Sequence, residues 1–184
     1  MEKPLIIPII GKARNGKDTF AQYLKEGIEE RTGKKVLVVR YADYLKFVLE
    51  KYYNWNGKKD EEGRTLLQHI GTDICRTNNP DIWVNVVIEL VKGLGEDIAY
   101  VLIPDTRFEN EIDRWYDNEF EVLSIRVKRL NEDGTDFDNG LTVEQKQHPS
   151  ETSLDDYNPY YVVEAKSLDE LKESAEAILD AEKI

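Results

Sequence analysis

The segment Gly11-Lys12-Ala13-Arg14-Asn15-Gly16-Lys17-Asp18-Thr19 carries the residue types needed to hold a triphosphate. Its glycines permit a tight turn that points several backbone N–H groups inward, and a helix starting there adds partial positive charge. Lys17 is a mobile cation able to reach β- and γ-phosphates, and Thr19 offers a hydroxyl to phosphate or metal. The common pattern places Ser or Thr directly after the lysine, whereas here Asp18 stands between Lys17 and Thr19. A carboxylate repels a triphosphate unless Mg2+ lies between them. Asp18 is therefore either a partner of a metal-bound water or an acid that complements the helix dipole. A second acid, Asp105, ends the run Val101-Leu102-Ile103-Pro104-Asp105. Such an acid can orient the metal, directly or through water, and Arg107 two residues on also allows a plain Asp–Arg pair.

Moving a phosphoryl group between anions demands convergent cations, and arginine offers a planar fork for phosphate. Arg14, Lys17, Lys46, Arg64, Arg76, Arg107, Lys128 and Arg129 supply enough of them if they meet. The competing role for each is a surface ion pair with the abundant acids. With two histidines, His69 and His148, and the single cysteine Cys75, no zinc cluster is expected.

The elements that must position these residues alternate along the chain. Leu5–Ile10, Val36–Val39, Ile98–Ile103, Phe120–Val127 and Tyr160–Val163 read as short strands, the first with a blemish at Pro8. Helical spacing follows from Lys17 to about Arg31, over Ala42–Tyr53, Arg64–Arg76, a stretch capped by Asp81, a short one around Phe108–Trp115, and a last one with Ser167 and Glu170 as a capping box. Strands alternating with helices predict an α/β fold with a five-stranded parallel sheet flanked by helices in three layers. Ligands gather at the carboxyl ends of such strands, where Gly11, Asp105 and Lys128 fall. Asn131–Ser153 is polar and long, the character of a lid.

The order of these motifs resembles the bacteriophage-type deoxynucleoside monophosphate kinases of the P-loop nucleoside monophosphate kinase group. The resemblance rests on Gly11-x4-Gly16-Lys17-Asp18-Thr19, Gln68-x2-Gly71-Thr72-Asp73, Trp83, Pro104-Asp105-Thr106-Arg107 with Glu111, and His148-x-Ser150-Glu151. It implies a single domain over 1–184, with acceptor helices at about 42–93 and a lid at about 129–153. It implies ATP and Mg2+ at Arg14, Gly16, Lys17, Asp18 and Thr19. Leu45 and Lys46 would line the acceptor site, Arg64 would clamp its phosphate, and Gln68 would lie nearby. Trp83 would pack on base or sugar, although its helical phase with Val87 equally suits the core. Asp105, Arg107 and Glu111 would complete the acceptor pocket, and Ser150 would belong to the lid.

The resulting expectation is transfer of the ATP γ-phosphoryl group to a (deoxy)nucleoside monophosphate, with lid cations from Lys128 and Arg129 assisting. Alternatives are a kinase of another small acceptor such as dephospho-coenzyme A, or a nucleotide-binding switch without an acceptor. The net charge of −12 argues against nucleic acid as partner. No apolar run is long enough to cross a membrane and no signal peptide is evident, so a cytoplasmic monomer or homodimer is expected.

Overall fold

The structure, a computed structural model, describes residues 3–184. The apolar runs form five parallel strands, β1 (Leu5–Ile10), β2 (Val36–Val38), β3 (Tyr100–Thr106), β4 (Ile125–Arg129) and β5 (Tyr161–Ala165), in the spatial order β2-β3-β1-β4-β5. Between and after them run α1 (Lys17–Thr32), α2 (Tyr41–Tyr52), α3 (Glu61–Gln68), α4 (Ile82–Leu94), α5 (Asn110–Asp117), α6 (Val143–Gln147), α7 (Pro149–Thr152) and α8 (Leu168–Glu182).

The strands are apolar throughout because both sheet faces are covered. Ile7, Ile9 and Leu102 face α1 and α8, packing with Phe20, Leu24, Ile28, Ala175 and Leu179. Ile6, Val101 and Ile103, displaced by one residue and so on the opposite face, pack with Leu45, Leu49, Val84, Val87 and Trp115 from α2, α4 and α5. This is the expected three-layer arrangement.

Pro8 sits in the central strand, where a missing donor should break a ladder. Ile6 exchanges hydrogen bonds with Glu121 and Leu123 on the β4 side. Pro8, two residues on, faces the same way. Its missing N–H falls between the isolated bridge Ile6–Val122 and the ladder that begins at Ile9–Ile125. The fourth strand also differs from the expected one. It runs over Ile125–Arg129, not Phe120–Val127.

Other boundaries differ for local reasons. β3 extends through Asp105 to Thr106, so the acid belongs to the strand end itself. The third helix starts at Glu61 with Asp60 as N-cap, and from His69 to Arg76 it continues as a π-helix. Asp81 does not cap α4 with its side chain, which instead binds Asn110 and Arg114. Ser167 accepts from the Glu170 N–H, but the Glu170 carboxylate takes the Lys166 N–H, leaving the capping box half formed. The polar segment after β4 contains α6, whose complete capping box joins Thr142 and Gln145, and α7. No helix among the described residues is long and apolar enough to cross a membrane.

Candidate functional site

β1 delivers Gly11 to the carboxyl edge of the sheet, and the chain turns through Arg14 and Gly16, both at positive φ (61° and 87°), into α1. Gly11 itself has φ 152°, and an ideal Cβ there would stand 2.3 Å from the Val127 carbonyl oxygen. Both glycines are therefore structural requirements of the loop. Gly11→Ala is expected to cost about 1–3 kcal/mol of stability and to abolish nucleotide binding. A denaturant titration and a binding isotherm matching those of the parent protein would overturn that.

Lys17 is the first residue of α1 and is buried. Its Nζ donates to the carbonyls of Gly11 and Lys12, each at 2.8 Å, inside the loop. Burial, then the nearby Arg107 guanidinium, bring its pKa down to about 7, while Glu151, Asp18 and Asp105 pull the other way. Asn15 ties the loop to β4: its side-chain oxygen accepts from the Arg129 N–H at 2.7 Å. Ala13 offers its N–H to the Glu151 carboxylate at 3.1 Å.

Three cavities border this loop, two of them sharing Arg14, Lys17 and Asp18. One, of about 480 Å3, runs along Arg14–Thr19 past Lys128 and Arg129 to the loop Ala165–Leu168 that follows β5. Arg129 lies over the Phe137 ring at 4.0 Å, and Lys128 pairs with Asp136 (2.9 Å) and Glu164 (3.4 Å). The other, of about 420 Å3, is bounded by Ala13–Asp18, the N-terminal half of α2, the α3 region, the end of β3 and the segment from Leu141 to Glu151. It gathers eight cations, among them Arg14, Lys17, Lys46, Arg64, Arg76 and Arg107, against the four carboxylates Asp18, Asp105, Glu111 and Glu151. A larger cavity, about 630 Å3, lies between Gly11–Lys12, β4 and the segment 136–155, and its lining includes Glu151 and Arg107.

Leu45, Gln68, Trp83 and Ser150 also line the second cavity. Their surroundings refine what they can do. Trp83 is buried, with its indole N–H on the Gly71 carbonyl (2.9 Å) and its ring 6.4 Å from Tyr44, so it forms the cavity floor as part of the core. Glu111 is fully buried. It accepts from the Arg76 guanidinium and from the N–H groups of Arg107 (2.6 Å) and Phe108 (3.1 Å). Burial pushes its pKa up and Arg76 pulls it down. It holds the cavity wall together instead of facing a ligand.

Both oxygens of Asp105 accept from the first turn of α2, from the N–H groups of Tyr41 (3.0 Å) and Ala42 (2.9 Å). The acid therefore locks the cation-bearing α2 to the end of β3. Burial raises its pKa, and these two hydrogen bonds oppose the rise. Asp18 is exposed and pairs with Arg40, whose Nε lies 3.0 Å away. Thr19 lines the first cavity only. No cluster of three metal-ligating side chains occurs among the described residues. Mg2+ is typically held by one or two carboxylates with phosphate oxygens and water completing its shell. Asp18, exposed at the junction of the two cavities, fits that role, and Asp105 fits it less well because both its oxygens are engaged.

Arg40, Lys59, Gln145 and Glu151 belong to the site but do not figure among the residues expected from sequence. Arg40 follows the end of β2, so the rule that ligands gather at strand ends points to it. Lys59 and Gln145 carry no such signal in the sequence. Glu151 lies in the His148-x-Ser150-Glu151 motif, beside a serine that drew attention first.

No protein-family model matches the chain, and no curated protein matches it. Solved structures do. The APS kinase CysC of Mycobacterium tuberculosis is 12% identical, with 100% of each chain covered and a TM-score of 0.51, both as a cysteine-to-alanine mutant and in complex with AMPPNP and APS. A hexameric APS kinase from Thiobacillus denitrificans aligns at 12% identity and TM-score 0.51 over 98% of this chain and 29% of the other. At such identity the likeness establishes the fold alone: the chain has the P-loop kinase fold.

Proposed function

We propose that this chain is an ATP-dependent phosphotransferase whose acceptor is a small phosphorylated molecule, most specifically a (deoxy)nucleoside monophosphate. The observation that carries this reading is the cationic cavity beside the loop. A protein of net charge −12 concentrates eight Lys and Arg side chains against four acids in one cleft. A switch that binds only a triphosphate has no use for a second cationic chamber.

In this reading the backbone of Gly11–Thr19 and the Lys17 ammonium hold the triphosphate, and the nucleoside lies toward Lys128, Arg129 and the loop after β5. Asp18 would help to hold Mg2+ brought in with the triphosphate, which would supply charge neutralisation there. Arg64, Lys46 and Lys59 bind the acceptor phosphate, Leu45, Gln68 and Trp83 bound the chamber for the rest of the acceptor, and Arg107 enters that chamber from the end of β3. The segment Leu141–Glu151 roofs the acceptor chamber and excludes water, which limits ATP hydrolysis.

The test is ADP release from ATP and Mg2+ with deoxy- and ribonucleoside monophosphates, dephospho-coenzyme A and APS. The last is included because a protein of this fold binds APS together with AMPPNP. Stimulation by a nucleoside monophosphate is expected, and stimulation by none of the acceptors would favour a nucleotide switch. Arg64→Ala should raise the acceptor KM about tenfold or more with little change in the KM for ATP. Equal effects on both would remove Arg64 from the acceptor site.

A further inference from the structure

Arg107 lines both the cationic cavity and the larger cavity beside β4, and a cation there is useful only if its fork is held in place. In the structure a single side chain does so. Glu151, in the short helix α7, turns inward with its side chain only 8% exposed. One carboxylate oxygen lies 2.9 Å from the Arg107 guanidinium, and the other accepts the Ala13 N–H of the loop at 3.1 Å. Arg107 also donates to the Ser150 carbonyl at 3.3 Å, and the Lys12 ammonium binds the Glu151 carbonyl. The turn that aims Glu151 is built locally: His148 accepts the Ser150 N–H through Nδ1, and Pro149 opens the helix.

We propose that Glu151 is the positioning residue of this site, fixing Arg107 between the donor loop and the acceptor cavity and balancing the positive charge that Arg107 brings close to Lys17. The inference rests on the phosphotransferase reading for its consequence in turnover, and on geometry alone for its consequence in binding.

The experiment measures AMPPNP·Mg2+ affinity, and kcat and KM on the best acceptor, for the parent protein, Glu151→Gln, Glu151→Asp, Arg107→Gln and the double variant Glu151→Gln/Arg107→Gln, with thermal unfolding as control. Glu151→Gln should weaken AMPPNP binding several-fold and reduce kcat about tenfold, since an amide turns its N–H2 toward either the guanidinium or the Ala13 N–H. Glu151→Asp keeps the charge but is too short to bridge Ala13 and Arg107, and should lose kcat as well. Once Arg107 is Gln, replacing Glu151 should cost little further kcat, because there is no longer a guanidinium to position. An unchanged kcat in Glu151→Gln, a full further loss in the double variant, or tighter nucleotide binding would overturn the proposal; the last result would make Glu151 a competitor of phosphate. Should Glu151→Gln not fold, an unchanged kcat in Glu151→Asp has the same force. If the parent binds AMPPNP but transfers to no acceptor, the phosphotransferase reading fails, and AMPPNP affinity alone judges Glu151, with an unchanged affinity in Glu151→Gln overturning its role.

Discussion

Lys17→Met is expected to reduce phosphoryl transfer by about a hundredfold to a thousandfold and to leave the protein no less stable than its parent. The two halves of that expectation share one cause. Lys17 is buried at the start of α1, with its ammonium on two loop carbonyls, and burial with Arg107 lowers its pKa to about 7 from the usual 10.5. In the unfolded chain the side chain keeps its proton up to the usual value. Between about pH 7 and 10.5 the unfolded state thus binds more protons, and the contribution of Lys17 to stability grows as pH rises through that window. Below about pH 7 the full cost of burying the charge is present, so the methionine variant gains most there. Denaturant titrations at pH 6 and pH 9, with ADP release at pH 7, test both halves. A variant that transfers phosphate normally would sink the role of the loop. One destabilised equally at both pH values would sink the account of its burial.

Glu111→Ala is expected to be the most damaging single substitution for stability in the wall of the cationic cavity. The carboxylate is 1% exposed and joins three donors from two places: the Arg76 guanidinium at the end of the π-wound stretch, and two N–H groups at the start of the α5 turn. Removing it strands a guanidinium that is itself 12% exposed and leaves the two amides without partners. Breaking a buried pair in this way costs about 3–5 kcal/mol. For a chain of 184 residues that lowers Tm by on the order of 10 °C. Arg76 also lies over the Phe108 ring at 4.1 Å and donates to the Pro80 carbonyl at 3.4 Å, two contacts that would remain to it. Glu111→Gln keeps the shape and an acceptor, and should cost less. A loss under about 1 kcal/mol for the alanine variant, measured by denaturant titration, would show that the pair is merely tolerated.

Much of the framework was legible in the chain itself. A strand buried on both faces must be apolar at every position, and a helix on its flank must be apolar every third or fourth residue. Those two periods mark β1, α1, α4 and α8 without reference to anything distant. The glycine-rich loop was equally local, because its requirements concern the backbone of consecutive residues: Gly11 and Gly16 at positive φ, and Lys17 opening α1. The likeness to solved P-loop kinases agrees with the layered fold in that reading.

What tertiary structure alone decided is who partners whom. Asp105 and Glu111 look alike in sequence, as acids near a cationic motif. Folding gives one the first turn of α2 and the other the buried Arg76. Asp18 acquires Arg40 from the end of β2, and Glu151 reaches across 138 positions to the Ala13 amide. Charge pairing depends on distance in space, and spacing along the chain carries no record of it beyond a helical turn or a strand. The sequence by itself determined the loop, the layers and the sheet edge where the site must lie. The assignment of each charged side chain to wall, brace or open cavity came only when α2, α3 and the segment after β4 were brought over that edge.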